Sequence, residues 1–437
     1  MQVATVPGAH LARLRAQVDA SLPDYLADLA RLVDVDCGSY TKEGVDLVGR
    51  WTAESLRGLG ASVQVLPNTD LGDTVIGTLH GVGTARALVI GHLDTVFEPG
   101  TARERPFRIA GGRAYGPGVC DMKSGLLAGL YALRALRASP LGGRPADTDG
   151  DGGERGDGHS DGRGRARLPW LPFDRVTFVA NPDEEVGSPV STPVIRALAP
   201  EHDVALVLEC ARANGDIVSA RKGNQSVALL VHGRAAHAGV EPEKGRSAIL
   251  EAAHKTIALH ALNGRWPGVT CNVGVVHGGT RPNVVPDEAV LEVDLRATSR
   301  ASLEAADAAV REIAAGSTVP DVTCEVEERG RHWPMERLPA AAALVDAAVA
   351  IAAGLGFELH DAATGGASDA NTTAGAGIPS LDGLGPVGGL DHSPDEYVEV
   401  DSIVPRVTLF AALLLAIGAG AAGGQRRNVL PQPSQTV

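Results

Sequence analysis

Leu88-Val89-Ile90-Gly91-His92-Leu93-Asp94-Thr95 is an apolar run that ends on a histidine and, two residues later, on a carboxylate. Side chains alternate along an extended segment, so His92 and Asp94 share one face. The run reads as a buried strand that delivers a polar pair to its carboxyl end. Such a pair suits an acid/base couple, or a metal-binding imidazole oriented by the carboxylate beside it. A His-x-Asp also closes many ordinary strands, so its meaning depends on what the other strands carry.

Upstream, the pattern predicts helices over 23–33 and 45–59, the second closed by Gly60, then strands over 62–66, 75–80 and 87–91. Downstream it predicts a helix over 123–137 and strands over 176–180 and 204–208 with a helix between them. This alternation implies an α/β fold with a mixed, largely parallel sheet flanked by helices. From 219 to 329 the order changes to strand, helix, strand, strand, helix, strand (226–231, 246–261, 271–277, 289–294, 301–315 and 322–326). That is an α+β unit inserted into a discontinuous catalytic domain, whose parts span 1–218 and 330–424. Helices over 340–354 and 401–422 complete it. The uncharged run 407–424 approaches the length of a membrane span, but its amphipathic start marks a buried core helix.

Two stretches have little to bury, the Asp/Gly/Arg-rich 138–171 and the polar tail 425–437, and both are expected to be disordered. Asp147, Asp149 and Asp151 hint at a calcium loop, yet its twelfth position is Gly158 rather than Glu. A chain of 437 residues can bury two domains. Its net charge of −14 argues against a nucleic-acid or anionic-membrane partner. Five scattered cysteines (Cys37, Cys120, Cys210, Cys271, Cys324) do not form a disulfide framework, and no basic-then-apolar leader opens the sequence. A cytoplasmic protein is the expectation.

Four further strand ends or loops echo His92. Asp121 lies between a Gly/Pro turn and a helix; Glu184 and Glu185 follow the strand at 176–180; Glu209 ends another apolar strand; His392 sits in a Gly-rich loop. Alone, each has a plain structural reading: a helix N-cap, a solvated acidic turn or an exposed loop histidine. A charge directly after a buried strand is costly without a partner, however, and open α/β sheets place their sites at those ends. Imidazoles and carboxylates without thiolates suit Zn2+, with Co2+ or Mn2+ as alternatives. Five ligands exceed one tetrahedral ion and serve two if a carboxylate bridges.

The motifs Gly91-His-Leu-Asp-Thr-Val, Gly116-Pro-Gly-Val-Cys-Asp-Met-Lys, Asp183-Glu-Glu-Val-Gly-Ser, Leu208-Glu, Ala236-His-Ala-Gly and His392-Ser-Pro-Asp-Glu occur in that order. Over roughly residues 24–416 the chain thereby resembles the di-zinc exopeptidase and deacylase family. That family includes glutamate carboxypeptidase (carboxypeptidase G), aminoacylase, acetylornithine deacetylase and succinyl-diaminopimelate desuccinylase. The resemblance implies two Zn2+ bridged by Asp121, with His92 and Glu209 completing one site and Glu185 and His392 the other. It implies that Asp94 orients His92, that Glu184 is the general base, and that a cis peptide follows Asp121. The inserted unit would be a lid and dimerisation domain of a homodimer. His237 would reach the neighbouring subunit's centre to stabilise the oxyanion, while Asn283, Arg296, Arg331 and the backbone of Gly365 and Gly366 would bind substrate.

Some positions depart from the family pattern. Ser124 stands where glycine is frequent, Cys120 and Cys210 flank Asp121 and Glu209, and Ala367 and Asn371 break the commonest Gly-rich pattern. The two thiols would make the site sensitive to oxidation, though neither is needed as a ligand. The expected function is hydrolysis of an amide beside a free carboxylate, in a small peptide or N-acyl amino acid. The glutamate carboxypeptidase branch comes first, on Ala211-Arg-Ala-Asn-Gly-Asp, Ala220-Arg-Lys-Gly and Gly330-Arg331. An N-acyl-amino-acid deacylase is the alternative. A silent scaffold is disfavoured because Glu184 and every ligand position are filled.

Overall fold

The computed structural model describes residues 3–139 and 167–421. The calcium-loop spacing, the polar tail and most of the expected disordered insertion lie outside the described residues.

A six-stranded sheet runs in the order Ser62–Leu66, Thr74–His80, Arg175–Asn181, Arg86–His92, Val204–Val207 and Ser380–Leu381. The first two junctions are antiparallel and the remaining three parallel. In the central strand Ala87 and Val89 feed one core while Leu88 and Ile90 feed the other. Both faces are therefore buried, which is why the run is continuously apolar rather than alternating.

Helices Gly125–Ala138 and Val400–Ala421 pack together beneath one face. The second is long and apolar enough to cross a membrane, but 89% of that apolar window is buried inside the fold, as the core-helix reading expected. Helix Gly8–Ala20 was not expected. It buries only Leu11, Leu14 and Val18, a stripe too narrow to stand out among its polar neighbours.

The second sheet is antiparallel, ordered Thr270–Gly278, Glu288–Ala297, Gly223–His232 and Thr323–His332, with helices Ala248–His260 and Arg300–Ala315 packed on it. Asn224 pairs with His332, and the backbones of Arg221 and Met335 bond to each other, so the chain enters and leaves this unit side by side. Its last strand runs through Arg331, past the limit of 329 expected for this unit. That strand is an edge strand studded with exposed charges, which shields its edge but hides it from an apolar pattern.

A third, small sheet joins Arg108–Ala110 and Arg113–Tyr115 to Tyr397–Glu399 and Gly388–Gly389. Its two- and three-residue strands carry no periodicity to read. They nevertheless decide the site: Tyr397 pairs with Tyr115 and with Gly389, so the loop bearing His392 is held next to the loop bearing Asp121.

Candidate metal centre

His92 ends the central strand, buried, and its Nδ1 lies 3.0 Å from the Asp94 carbonyl and 3.3 Å from Asp94 Oδ1. The Asp94 carboxylate also accepts from the Ser39 hydroxyl at 2.6 Å and from the Glu184 and Glu185 N–H groups, each at 3.2 Å. One buried carboxylate thus orients the imidazole and fixes the turn Glu184–Val186. His92 Nε2 is left facing Asp121 Oδ1 at 3.0 Å, with Glu209 Oε1 at 3.9 Å.

Asp121 lies in the turn Val119–Ser124 and precedes a cis peptide to Met122, as the resemblance implied. Buried Glu396 grips this turn, accepting from the N–H groups of Gly118, Cys120 and Asp121 at 2.9, 2.8 and 2.9 Å. On its other side the buried Lys123 ammonium donates to the carbonyls of Val35 and Pro117. His392 takes the left-handed conformation at φ 62°, unusual for a non-glycine residue. Its Nε2 lies 3.2 Å from Asp121 Oδ2 and 3.1 Å from Glu185 Oε2. The two oxygens of Asp121 therefore face one imidazole each.

The cluster is short of positive charge. Burial pushes the pKa of Glu209 well above the carboxylate range, and the charge of Asp121 adds to it. Burial does the same to Glu184, although that residue keeps part of its surface accessible, and it also raises Glu185. Hydrogen bonds to Asp121 and Glu185 push His392 up to about 11. Among the described residues, Glu185 Oε1 is buried with no hydrogen-bond partner.

Once Nδ1–H donates to Asp94, the Nε2 lone pair of His92 meets a carboxylate lone pair, and only a proton or a cation reconciles them. Tetrahedral bonds of about 2.0–2.1 Å hold ligand atoms about 3.3 Å apart. The contacts of Asp121 with His92 and His392, at 3.0 and 3.2 Å, and of His392 with Glu185, at 3.1 Å, are close to that spacing. Ligand atoms of His92, Asp121 and Glu185, and of His92, Glu184 and Glu209, also converge within 4.8 Å. The donor set fits a divalent first-row ion.

The remaining expected residues divide. Arg296 bonds Asp294 at 2.9 Å and the Gly365 carbonyl at 3.2 Å, so it reaches from the second sheet to the exposed Gly365-Gly366 loop. His237 ends the strand Ala236–His237 and Asn283 immediately precedes its partner Val284–Val285, and Ala238 N–H donates to the Asn283 carbonyl. Both are exposed, and among the described residues no hydrogen bond or ion pair joins either to the centre. Arg331, expected to bind substrate, is instead engaged by Glu328 at 2.9 Å and Asp307 at 3.4 Å, beside the Trp333 ring. Its place inside an edge strand gives it those partners.

Sequence reasoning missed Ser39, the grip of Glu396, and Arg221. The buried Arg221 pairs with Asp382 at 2.7 Å and donates to the Gly366 carbonyl. Asp382 accepts from Ser368 as well, so the Gly-rich loop is pinned at its base. Asp369 accepts from Asn181 and Ser188 behind the acidic turn, and its pKa is pushed up to about 6, chiefly by burial.

Residues 219–321 match the peptidase dimerisation domain, and residues 88–144 match peptidase family M20/M25/M40. Carboxypeptidase G2 from a Pseudomonas species is 29% identical over 96% of this chain and 97% of its own. Succinyl-diaminopimelate desuccinylase from Dechloromonas aromatica is 26% identical over 90% and 98%. Among solved structures, aminopeptidase PepT from Bacillus cereus superposes with a TM-score of 0.68 at 23% identity, covering 91% of this chain and 98% of its own. The M20 family metallo-carboxypeptidase Sso-CP2 from Sulfolobus solfataricus has a TM-score of 0.63 at 16% identity, covering 90% and 99%. At those identities the structures speak for the fold, while the sequence matches speak for the lineage. The chain belongs to the M20 family of metal-dependent peptidases and amidohydrolases, with carboxypeptidase G2 among its full-length relatives.

Proposed function

We propose that this enzyme is a two-metal amidohydrolase that removes an amine-linked residue bearing a free carboxylate, in the manner of a glutamate carboxypeptidase. One observation carries the reading: Asp121 presents one oxygen to His92 and the other to His392. In this reading His92, Asp121 and Glu209 would hold one Zn2+ (or Co2+ or Mn2+), and Asp121, Glu185 and His392 would hold a second. Bound there, the ions would polarise the scissile carbonyl and ease ionisation of the attacking water.

The chain's own groups supply the rest. Asp94 holds the His92 ring so that Nε2 faces the centre. Glu184 takes a proton from the attacking water and delivers it to the leaving amine nitrogen. Arg296, beside the Gly365 carbonyl, is the guanidinium suited to a substrate carboxylate, with Gly365 and Gly366 offering backbone groups. The parts 1–218 and 330–424 form the catalytic domain, and 219–329 the lid.

Exposed Ile249, Leu250 and Ile257 on one lid helix, with Val275 and Val276 on the neighbouring edge strand, support a homodimer formed through the lid. His237 and Asn283 of one subunit would then complete the other subunit's centre, with His237 facing the oxyanion. Five unpaired cysteines support a cytoplasmic setting.

The second reading, an N-acyl-amino-acid deacylase, draws on the similarity to a desuccinylase. Metal analysis combined with a substrate panel, before and after chelation, tests both. Two ions per chain and chelator-sensitive release of C-terminal glutamate are expected. Turnover of N-acyl amino acids alone would move the enzyme to the deacylases. Bound metal without turnover on either set would overturn both readings.

A further inference from the structure

Behind the His/carboxylate cluster lies a second set of donor atoms. Cys120 Sγ, Cys210 Sγ and a carboxylate oxygen of Asp391 converge within 4.8 Å of one another. Both thiols are buried, and Asp391 is half-buried. The Cys210 thiol faces both oxygens of Asp391, at 3.7 and 3.8 Å. Each member is the chain neighbour of a candidate ligand of the first centre: Cys120 of Asp121, Cys210 of Glu209, and Asp391 of His392. Gly388 makes room, because a Cβ there would stand 2.5 Å from Cys120 Sγ.

We propose that Cys120, Cys210 and Asp391 form a separate site for one thiophilic divalent cation, of the zinc or cadmium class. Two thiolates and a carboxylate carry three negative charges. A divalent ion together with the Arg212 guanidinium, whose Nη2 lies 3.9 Å from Cys210 Sγ, balances them. An N–H group aimed at the sulfur is the kind of support that metal-bound thiolates receive. Binding displaces the two thiol protons to solvent, and water reaching the half-buried Asp391 side supplies the fourth ligand. A disulfide between the two cysteines would leave Asp391 without a role, whereas a cation uses all three donors. Because the donors differ in kind from those of the first centre, the site does not depend on the catalytic reading. Filling it ties together the three segments that carry Asp121, Glu209 and His392.

The test uses the full chain, reduced and stripped of metal, titrated with Cd2+. The expected result is an ultraviolet thiolate-to-cadmium charge-transfer band whose final amplitude corresponds to one thiolate-bound cadmium per chain, with any further equivalents taken up by the first centre without a thiolate band. The band should vanish in Cys120→Ser and in Cys210→Ser, and weaken in Asp391→Asn. Should those variants fold poorly, X-ray absorption on the zinc-loaded unaltered chain decides. A sulfur shell near ~2.3 Å, beside nitrogen and oxygen near ~2.0–2.1 Å, is expected. A shell of nitrogen and oxygen alone, a band surviving both cysteine variants, or a Cys120–Cys210 disulfide recovered from the chain as made in cells would overturn the site. Any of these accompanied by full amide hydrolysis would leave the amidohydrolase reading intact.

Discussion

At the carboxyl ends of the central sheet, His92, Asp94 and Glu209 are buried and each faces another charged group. In the inserted unit, His237 and Asn283 stand exposed, and among the described residues their hydrogen bonds stay within the paired strands Ala236–His237 and Val284–Val285 and the loops beside them. The first region is held by its own fold, through backbone donors to Asp94 and Glu396. The second stands open, and under the proposed function its polar groups would act only once a substrate or another subunit arrives. Rigidity at one region and openness at the other suit an enzyme that holds ions permanently and substrate briefly.

The difference can be broken most severely at Glu184. Glu184→Gln should retain the metal content of the unaltered protein while kcat falls by about 10²–10⁴. Near-normal turnover would remove Glu184 from the proton-transfer role. On the open side, His237→Ala should lower kcat by about 10²–10³ with metal unchanged. Mixing it with an Asp121→Asn chain should restore a fraction of the activity, since one of the two centres regains both groups. If mixtures recover nothing, the centre is not shared between subunits.

Burial of polar groups in the central region has its own signature in acid. His202 is buried, with Nδ1 near the Leu198 carbonyl at 2.8 Å and Nε2 near Thr177 Oγ1 at 2.9 Å. Burial pushes its pKa down to about 4 from an ordinary 6.5. The unfolded chain takes up a proton below 6.5 that the folded chain refuses until about 4. Stability present above 6.5 is therefore lost as pH falls through that window, by roughly 3 kcal/mol. Denaturation midpoints across the window should fall steeply for the natural chain and less steeply for His202→Gln. An equal fall in both would place the acid loss elsewhere. The smallest effect belongs to Arg331→Ala, which should cost about 0.2–1 kcal/mol through lost pairing with Glu328 and Asp307 and leave KM alone. A tenfold rise in KM for a glutamate-terminated substrate would return Arg331 to substrate binding.

How much of this was legible in the sequence follows from the same contrast. A doubly buried strand must be an unbroken apolar run, and a carboxylate or imidazole at its end is too costly to be idle, so His92, Glu185 and Glu209 could be read directly. The succession of strands and helices in the inserted unit was equally legible, though not the full length of its charged last strand. Contacts that join distant parts of the chain were not. Ser39 reaches Asp94 across 55 residues, and Glu396 reaches Gly118 across 278. The strands that bring those loops together are two or three residues long. Arg331 shows the same limit: a motif position says nothing about Asp307 and Glu328 waiting beside it.

The grip of Glu396 on the turn before Asp121 has a consequence for the order in which the protein is made. The chain that supplies His92, Asp121, Glu185 and Glu209 is synthesised first, and the lid follows, entering and leaving through one doorway at Asn224 and His332. Only then do His392 and Glu396 emerge to close the centre. A nascent or prematurely released polypeptide thus carries most of the ligands yet no finished blade. Under the proposed function, hydrolysis therefore waits on residues translated some 270 positions after Asp121, whatever amide is eventually cut.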